Sequence, residues 1–238
     1  MDNTIPVPHP LYGAEIRVRR AGEHIDDLRK ILQAWADEHR EIYQVTPNAE
    51  GTGTTVEQAK VPDIDLLGQA SVRISDALFN LRAALDYTVY VLACVGNGWK
   101  HVSGTQFLID DDMDDFEERA KKYLRHVPLR AVQLIRELQP GWTPPCEWTR
   151  LLRDLSNPDK HRTLTSLRSV AEVLTQMTGG EMTSAGQVVN VQTEFRVRVL
   201  FKEENVDTAD TLQLLHREVG STVALFKPGI HPVEASIV

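Results

Sequence analysis

Apolar residues recur at alternating spacings of three and four along most of the first 160 positions, the period of an amphipathic helix. The longest stripe ends at Gly96, Asn97 and Gly98, which are typical helix-stopping residues. A separate stripe lies near the end of the chain. The pattern predicts helices over residues 14–42, 66–95, 113–124, 128–138, 148–155 and 208–226.

Other parts of the chain show the period of two that is typical of strands. Residues 189–201 alternate valine and phenylalanine with polar or charged residues. Residues 164–174 have a spacing that fits a strand and a helix about equally. Two short β-rich segments flank an Asn/Gly-rich turn, which predicts a hairpin near residues 43–61. We expect residues 43–61 and 164–201 to form one small antiparallel sheet on one side of the helices.

Together these elements predict an α+β fold that is mainly α: an antiparallel helical bundle with a small antiparallel β-sheet and a C-terminal helix. The predicted divisions are a flexible N-terminal arm (1–13), a helical domain with the hairpin (14–162), a β-hairpin plus C-terminal helix packed on the same core (163–226), and a tail (227–238). A chain of 238 residues is long enough to bury a core of this size.

Composition narrows the class of partner. The net charge of −8 disfavours non-specific attraction to RNA, because phosphate backbones bind cationic surfaces. The two cysteines form no paired framework, and the first residues do not resemble a signal peptide. The longest uninterrupted apolar run, Val89–Val95, is too short to span a bilayer. We therefore expect a cytosolic protein with no membrane partner.

Polar residues are concentrated at two places beside the predicted core. Arg82 and Asp86 lie one helical turn apart next to the stripe of the helix 66–95, where they can form an ion pair. Asn157, Asp159, Lys160, His161 and Arg162 follow the helix 148–155. Pro158 is expected to end that helix, with Asn157 as the cap of the next one.

Half-buried polar groups need partners, and both segments adjoin the same predicted core. We therefore predict that the two segments lie close together and form a structural polar cluster. Its predicted members are Arg82, Asp86, Asn157, Asp159, His161 and Arg162.

The acidic run at residues 110–115 does not predict a metal site. Asp110, Asp112 and Asp114 have the spacing of three calcium-loop positions, but Asp115 and Lys121 stand where such a loop needs glycine and glutamate. The chain also lacks Cys/His ligand spacing and nucleotide-binding glycine motifs. We predict no metal and no cofactor, and we expect the carboxylates to lie at the positive end of a helix.

Three runs carry a family resemblance: AEIRVRRAGEHIDDLRKIL, GQASVRISDALFNLRAALDYTVYVLA and LLRDLSNPDKHRTL. They resemble an uncharacterised family found in actinobacteria and their phages, with an LR-x-ALD helix and a later N-x-DKHR segment. The resemblance spans residues 14–165. It implies a helical fold and brings no activity with it.

The chain is also distantly similar to the HEPN superfamily of helical domains, many of which are dimeric ribonucleases with an Arg-x4–6-His motif. Asn157 and His161 match that motif, whereas Ser156 stands where the arginine belongs. The resemblance implies His161 as a general acid or base, with Lys160 or Arg162 as the cation that stabilises developing charge. These three residues are the candidate catalytic residues.

We expect a cytosolic interaction or regulatory protein of phage or mobile-element type, with a protein partner or a second copy of itself. The alternative is a HEPN-like, metal-independent ribonuclease or an RNA-binding toxin or defence protein that uses His161.

Overall fold

A computed structural model describes residues 9–38, 43–47, 54–58, 64–159, 167–178, 182–183, 186–187, 190–201 and 207–230. In this part of the chain the protein is mainly helical, as predicted. The helices are α1 (Tyr12–Glu38), α2 (Ile64–Gly96), α3 (Met113–Tyr123), α4 (Leu129–Glu137), α5 (Glu147–Asp159) and α6 (Thr208–Phe226), followed by a 3-10 turn at Lys227–Gly229.

The two longest helices, α1 and α2, pack along each other in opposite directions. Near the start of α1, Gly13 lies against the ring of Tyr87, and at its other end Trp35 packs on Leu66. Helix α6 contacts both helices, and α5 contacts α2 and α6. The core lies between these helices. The largest fully buried side chains are Leu11, Ile25, Leu28, Ile74, Leu78, Leu81, Leu85, Phe107, Leu108, Phe116 and Ile135.

Local sequence signals account for the ends of α3 and α6. The Asp112 side chain accepts hydrogen bonds from the backbone N–H groups of Asp114 and Asp115 at the start of α3, so the acidic run lies at a helix N-terminus as predicted. Asp207 caps α6 in the same way. The predicted stripe of α6 is confirmed, since Leu212, Leu215, Val219, Val223 and Phe226 are all buried.

The strands are β1 (Tyr43–Pro47), β2 (Thr54–Gln58), β3 (Leu167–Thr178), β4 (Met182–Thr183), β5 (Gly186–Gln187) and β6 (Asn190–Phe201). Strands β3 and β6 pair antiparallel, with Leu167 opposite Phe201 and Thr178 opposite Asn190. Strands β1 and β2 pair separately, as do β4 and β5. The predicted single sheet is therefore not seen in the described residues, because each strand pairs with one that is close in sequence.

Three predicted boundaries need correction. Helix α5 continues through Asn157 and Pro158 to Asp159, although Pro158 was expected to end it. The residue before a proline is biased away from helical torsions, but this bias is a preference, and Asn157 is helical here. Residues 9–13 do not belong to an arm, since Leu11 is fully buried, and the tail cannot begin at residue 227, since Ile230 is buried as well. The side chain of His9 contacts the carbonyl oxygen of Ile230 (3.1 Å).

Two glycines of α2 provide a test of this packing. A Cβ at Gly96 would overlap the carbonyl oxygen of His126, whereas a Cβ at Gly68 would meet nothing within 4 Å. We expect Gly96→Ala to lower the free energy of unfolding by more than about 2 kcal/mol, because backbone must move. Gly68→Ala should leave it unchanged or raise it by up to about 1 kcal/mol. Urea unfolding followed by circular dichroism measures both, and equal effects would contradict the packing at Gly96.

Candidate functional site

The residues from Phe107 to Asp110 form a buried segment that is neither helix nor strand. All four are at most 7% exposed. Buried backbone N–H and C=O groups need hydrogen-bond partners, and none of the strands that the structure describes is hydrogen-bonded to this segment. Side chains from several helices supply partners instead.

Arg82 and Asp86 of α2 hold the first residue of this segment. The Arg82 Nη2 donates to the carbonyl oxygen of Phe107 (2.5 Å), and the Phe107 N–H donates to Asp86 Oδ1 (2.9 Å). The two side chains also form an ion pair, with Arg82 Nε 3.7 Å from Asp86 Oδ2. Burial lowers the pKa of Arg82, and the charge of Asp86 opposes this shift. The pair predicted from the i, i+4 spacing is therefore present, and it closes a ring through the backbone of Phe107.

Gln139, just after α4, holds the middle and the end of the segment. Its Oε1 accepts from the Asp110 N–H (2.8 Å), and its Nε2 donates to the carbonyl oxygens of Leu108 (2.9 Å) and Ile135 (2.8 Å). The residue is fully buried. All the hydrogen-bonding groups of this amide except one acceptor lone pair are thus used.

Two arginines hold the acidic end of the segment. Arg119 of α3 pairs with Asp110, and Arg153 of α5 pairs with Asp111 (Nη1–Oδ2, 2.8 Å) and with its neighbour Asp154 (2.8 Å). The second oxygen of Asp110, Oδ2, is buried without a hydrogen-bond partner. Burial raises the pKa of Asp110, and the charge and hydrogen bond of Arg119 oppose that shift.

We call the side chains that hold this segment the clamp. They are Arg82, Asp86, Arg119, Gln139 and Arg153. Only Arg82 and Asp86 were predicted as members of a polar cluster. The other three lacked a recognisable signal: Gln139 follows an ordinary amphipathic helix, and Arg119 and Arg153 lie among many charged residues of helical segments.

Of the second part of the predicted cluster, the structure describes only the side chain of Asn157. Asn157 is exposed on α5, and no described contact links it to Arg82 or Asp86. The side chain of Asp159 lies outside the described residues, as do Lys160, His161 and Arg162. The predicted proximity of His161 to Asp86 therefore stays a prediction.

The clamp offers little for catalysis. Its arginine, amide and carboxylate groups are hydrogen-bonded to backbone or paired with opposite charges, and its residues do not line the grooves described around α1 and α6. Among the described residues no group of three or more His, Cys, Asp or Glu side chains is placed to hold a metal ion. What the arrangement does is fix the 107–111 segment against four helices.

A second feature is the face of α2 that carries its exposed apolar residues, which we call the outer face. It comprises Val72, Asp76, Phe79, Ala83, Tyr87 and Tyr90. Val72 is 41% exposed and Phe79 is 58% exposed, although both are large apolar residues. A groove of about 760 Å³ between α1 and α2 adjoins this face and is lined by Gly13, Ile16, Arg17 and Tyr87 among others.

Within the part of the chain that the structure describes, one helix is long and apolar enough to cross a membrane, and it is α2 (Asp65–Gly96). The core helix of a soluble protein passes the same test, and 61% of the most apolar stretch of α2 is buried inside this protein.

No protein-family model, curated protein or solved structure matches this chain.

The ring formed by Arg82, Phe107 and Asp86 can be tested by substitution. Asp86→Ala leaves the Phe107 N–H and the buried Arg82 without their partner, so we expect the free energy of unfolding to fall by about 1–3 kcal/mol. Asp86→Asn keeps an acceptor for that N–H and should cost less. Asp76→Ala, at an exposed position of the same helix, is the control and should cost below about 1 kcal/mol. Equal losses at positions 76 and 86 in urea unfolding would contradict the ring.

The raised pKa of Asp110 predicts a pH dependence. The folded protein binds the carboxyl proton of Asp110 more tightly than the unfolded chain does. The contribution of Asp110 to stability is therefore fully present below the ordinary pKa of 3.8, and it is lost as the pH rises through the higher pKa of the folded state. The side chain of the Asp110→Asn variant cannot ionise, so this variant does not lose stability as the pH rises. We expect its free energy of unfolding, relative to that of the wild type, to increase as the pH is raised from 3.8.

Urea unfolding at a series of pH values measures this difference, with the exposed Asp114→Asn as control. A difference for Asp110→Asn that stays flat or decreases over that window would show that burial does not raise the pKa of Asp110.

Proposed function

We propose that this chain is an interaction protein that works through an exposed apolar helix face, and that its polar clamp is structural. In line with the family resemblance, we place it among regulatory proteins of phage or mobile-element type that act in the cytosol. The observation that carries the proposal is the outer face of α2, where Val72 and Phe79 expose apolar surface in the middle of the longest helix. Contiguous apolar surface on a folded protein is typical of sites that bind other proteins.

The clamp supports an interaction function over a catalytic one, because its buried groups are used within the fold. A general acid or base must reach a substrate, and an electrostatic stabiliser needs free donors that point at the reacting atoms. Arg82 is 6% exposed, and it donates to the Phe107 carbonyl oxygen inside the protein. Gln139 is fully buried and bonded to three backbone groups. These groups stabilise the fold and have no access to a substrate.

RNA cleavage through His161 is the second candidate function. The observation in its favour is the exposed side chain of Asn157, four residues before His161 in the segment that resembles the HEPN motif. Ser156, at the position of the motif's arginine, is 4% exposed and donates to the Arg153 carbonyl oxygen. The motif therefore lacks its cation at that position, and the net charge of −8 opposes RNA binding.

Site-specific photo-crosslinking tests the interaction function. The photoreactive amino acid p-benzoylphenylalanine replaces Phe79 in one variant and Lys122, an exposed residue of α3, in a control variant. After irradiation in the expressing cells, we expect covalent protein adducts from position 79 and none from position 122. Mass spectrometry identifies the adduct as a second copy or as another protein. Equal adduct formation at both positions, or none at 79, would contradict the proposal.

An RNA-cleavage assay separates the two functions. Purified wild type and His161→Ala are incubated with a mixed RNA substrate in EDTA, and the melting temperature of each is measured. We expect the same background cleavage from both proteins and a lower melting temperature for His161→Ala. The removal of a structural polar partner lowers the free energy of unfolding by about 1–3 kcal/mol. Cleavage by the wild type that His161→Ala loses at an unchanged melting temperature would establish the ribonuclease instead.

A further inference from the structure

We propose that the outer face of α2, together with the adjoining face of α1, binds a second copy of this chain in an antiparallel arrangement about a two-fold axis. This inference rests on the proposed interaction function and names its partner. It follows from three properties of these helices: the apolar character of α2, the position of its outer face, and the order of charges along α1.

Helix α2 carries large apolar side chains both on the side that faces the core and on its outer face. Its core side carries Ile74, Leu78, Leu81 and Leu85, which are all fully buried. Its outer face nevertheless carries valine, phenylalanine, alanine and tyrosine side chains. Val72 and Phe79 are exposed on this face, whereas Asp76, Ala83, Tyr87 and Tyr90 are half-buried. Within the part of the chain that the structure describes, the two large apolar side chains of Val72 and Phe79 therefore have no covering layer, and covering them is favourable because it removes apolar surface from water.

The spacing on this face fits a helix as the covering element. Val72, Asp76, Phe79 and Ala83 follow one another at intervals of four, three and four residues, the alternation of a coiled-coil seam. The small side chain of Ala83 allows two helices to approach closely. Phe79 and Ala83 flank the midpoint of α2, whose bounds are Ile64–Gly96. A two-fold axis at this midpoint makes two antiparallel copies of α2 overlap along their whole length.

The order of charges along α1 selects the antiparallel direction. A basic turn with Arg17, Arg19 and Arg20 precedes an acidic turn with Glu23, Asp26 and Asp27. The boundary between them lies level with the middle of α2, because Arg20 lines the same groove as Asn80, and His24 lies 3.8 Å from Asp76. An antiparallel second copy brings basic turn against acidic turn at both ends of the interface, whereas a parallel two-fold arrangement does not place the two α1 helices opposite each other and leaves these charges unpaired across the interface.

The size of the surface is sufficient for a dimer. From Val72 to Tyr90 the outer face extends about 27 Å at 1.5 Å per residue. With the groove beside α1, the surface is about two helices wide, because packed helices lie about 8–10 Å apart. Two further apolar residues of α1, Tyr12 (44% exposed) and Ile16 (40% exposed), enlarge it. Such a strip is of the order of the ~800 Å² per partner that stable complexes bury.

A lipid bilayer is the competing covering layer for an apolar helix. On this surface it would also meet Asp76, whose side chain is 48% exposed, and the charged turns of α1. Ionised groups are costly in the hydrocarbon region of a membrane. The charged turns of α1, which would oppose lipid burial, are the ones that an antiparallel second copy pairs.

Sedimentation equilibrium of the full chain tests the proposal. We expect a dimer for the wild type and a shift to monomer for Phe79→Glu, with Val72→Glu as a second variant. Leu225→Glu is the matched control, since Leu225 is 50% exposed on α6, away from the outer face, and it should remain dimeric. Circular dichroism confirms that each variant is folded. A wild type that is monomeric, or a dimer that Leu225→Glu disrupts and Phe79→Glu does not, overturns the proposal.

Charge reversal tests the direction of packing. We expect Arg17→Glu and Asp27→Lys each to raise the dissociation constant by about fivefold, because each substitution removes two symmetry-related exposed ion pairs of modest strength. The double variant restores opposite charges across the interface and should return close to the wild-type value. A double variant that is weaker than both single variants would overturn the antiparallel arrangement.

Two further results keep this inference distinct from the proposed function. If the wild type is monomeric and position 79 crosslinks to another protein, the partner is not a second copy, but the proposed interaction function still holds. If the wild type is monomeric and co-sediments with phosphatidylcholine/phosphatidylglycerol vesicles, and Phe79→Glu does not, the outer face binds a membrane. This result would overturn both the second-copy proposal and the proposed interaction function.

Discussion

Residues 107–110 are buried in the middle of the molecule, and their backbone polar groups have to be hydrogen-bonded although none of the described strands pairs with them. The partners come from every side: Arg82 and Asp86 from α2, Gln139 from the end of α4, and the N–H of Gly141 to the carbonyl oxygen of Asp110 (3.3 Å). An unpaired buried group costs about 1–3 kcal/mol, so these bonds determine where the helices can lie. The short irregular segment thus organises the helices around it.

The arginines extend the same constraint to α3 and α5. Arg119 brings α3 to Asp110, while Arg153 brings α5 to Asp111. Arg153 lies in α5, which ends at Asp159, two residues before His161 in the sequence. Arg82 and Asp86, which the sequence marks as polar residues beside the core, serve in the fold as hydrogen-bond partners of the Phe107 backbone.

Helix α2 links this interior to the proposed function. One side of the helix supplies the core and the clamp, and the opposite side exposes Val72 and Phe79. The clamp stabilises α2 against the rest of the molecule, which gives the outer face a rigid backbone. A rigid helix loses little conformational entropy when it binds, and a preorganised surface therefore binds more tightly than a flexible one of the same area.

The sequence by itself determined the helices, because a helix is a local structure whose period and caps appear within a few neighbouring residues. Periodicity located α2 and the buried stripe of α6 from Leu212 to Phe226, and the acidic run correctly indicated the N-terminus of α3. The i, i+4 spacing also indicated the pair of Arg82 and Asp86. The sequence places the end of α5 too early, because the bias of the residue before Pro158 away from helical torsions is a preference that other contacts can outweigh.

Only the tertiary structure decided which polar groups meet. Gln139 contacts Asp110 and Leu108 across 29 and 31 residues, and no spacing rule connects positions so far apart. Whether the strands join in one sheet is decided in the same way: β1 pairs with β2, and β3 pairs with β6 in a separate sheet. Phe79 and Phe107 look alike in a hydropathy pattern, yet Phe107 is fully buried and Phe79 is exposed. Burial depends on which other elements of the chain pack on a residue, and this is a property of the whole fold.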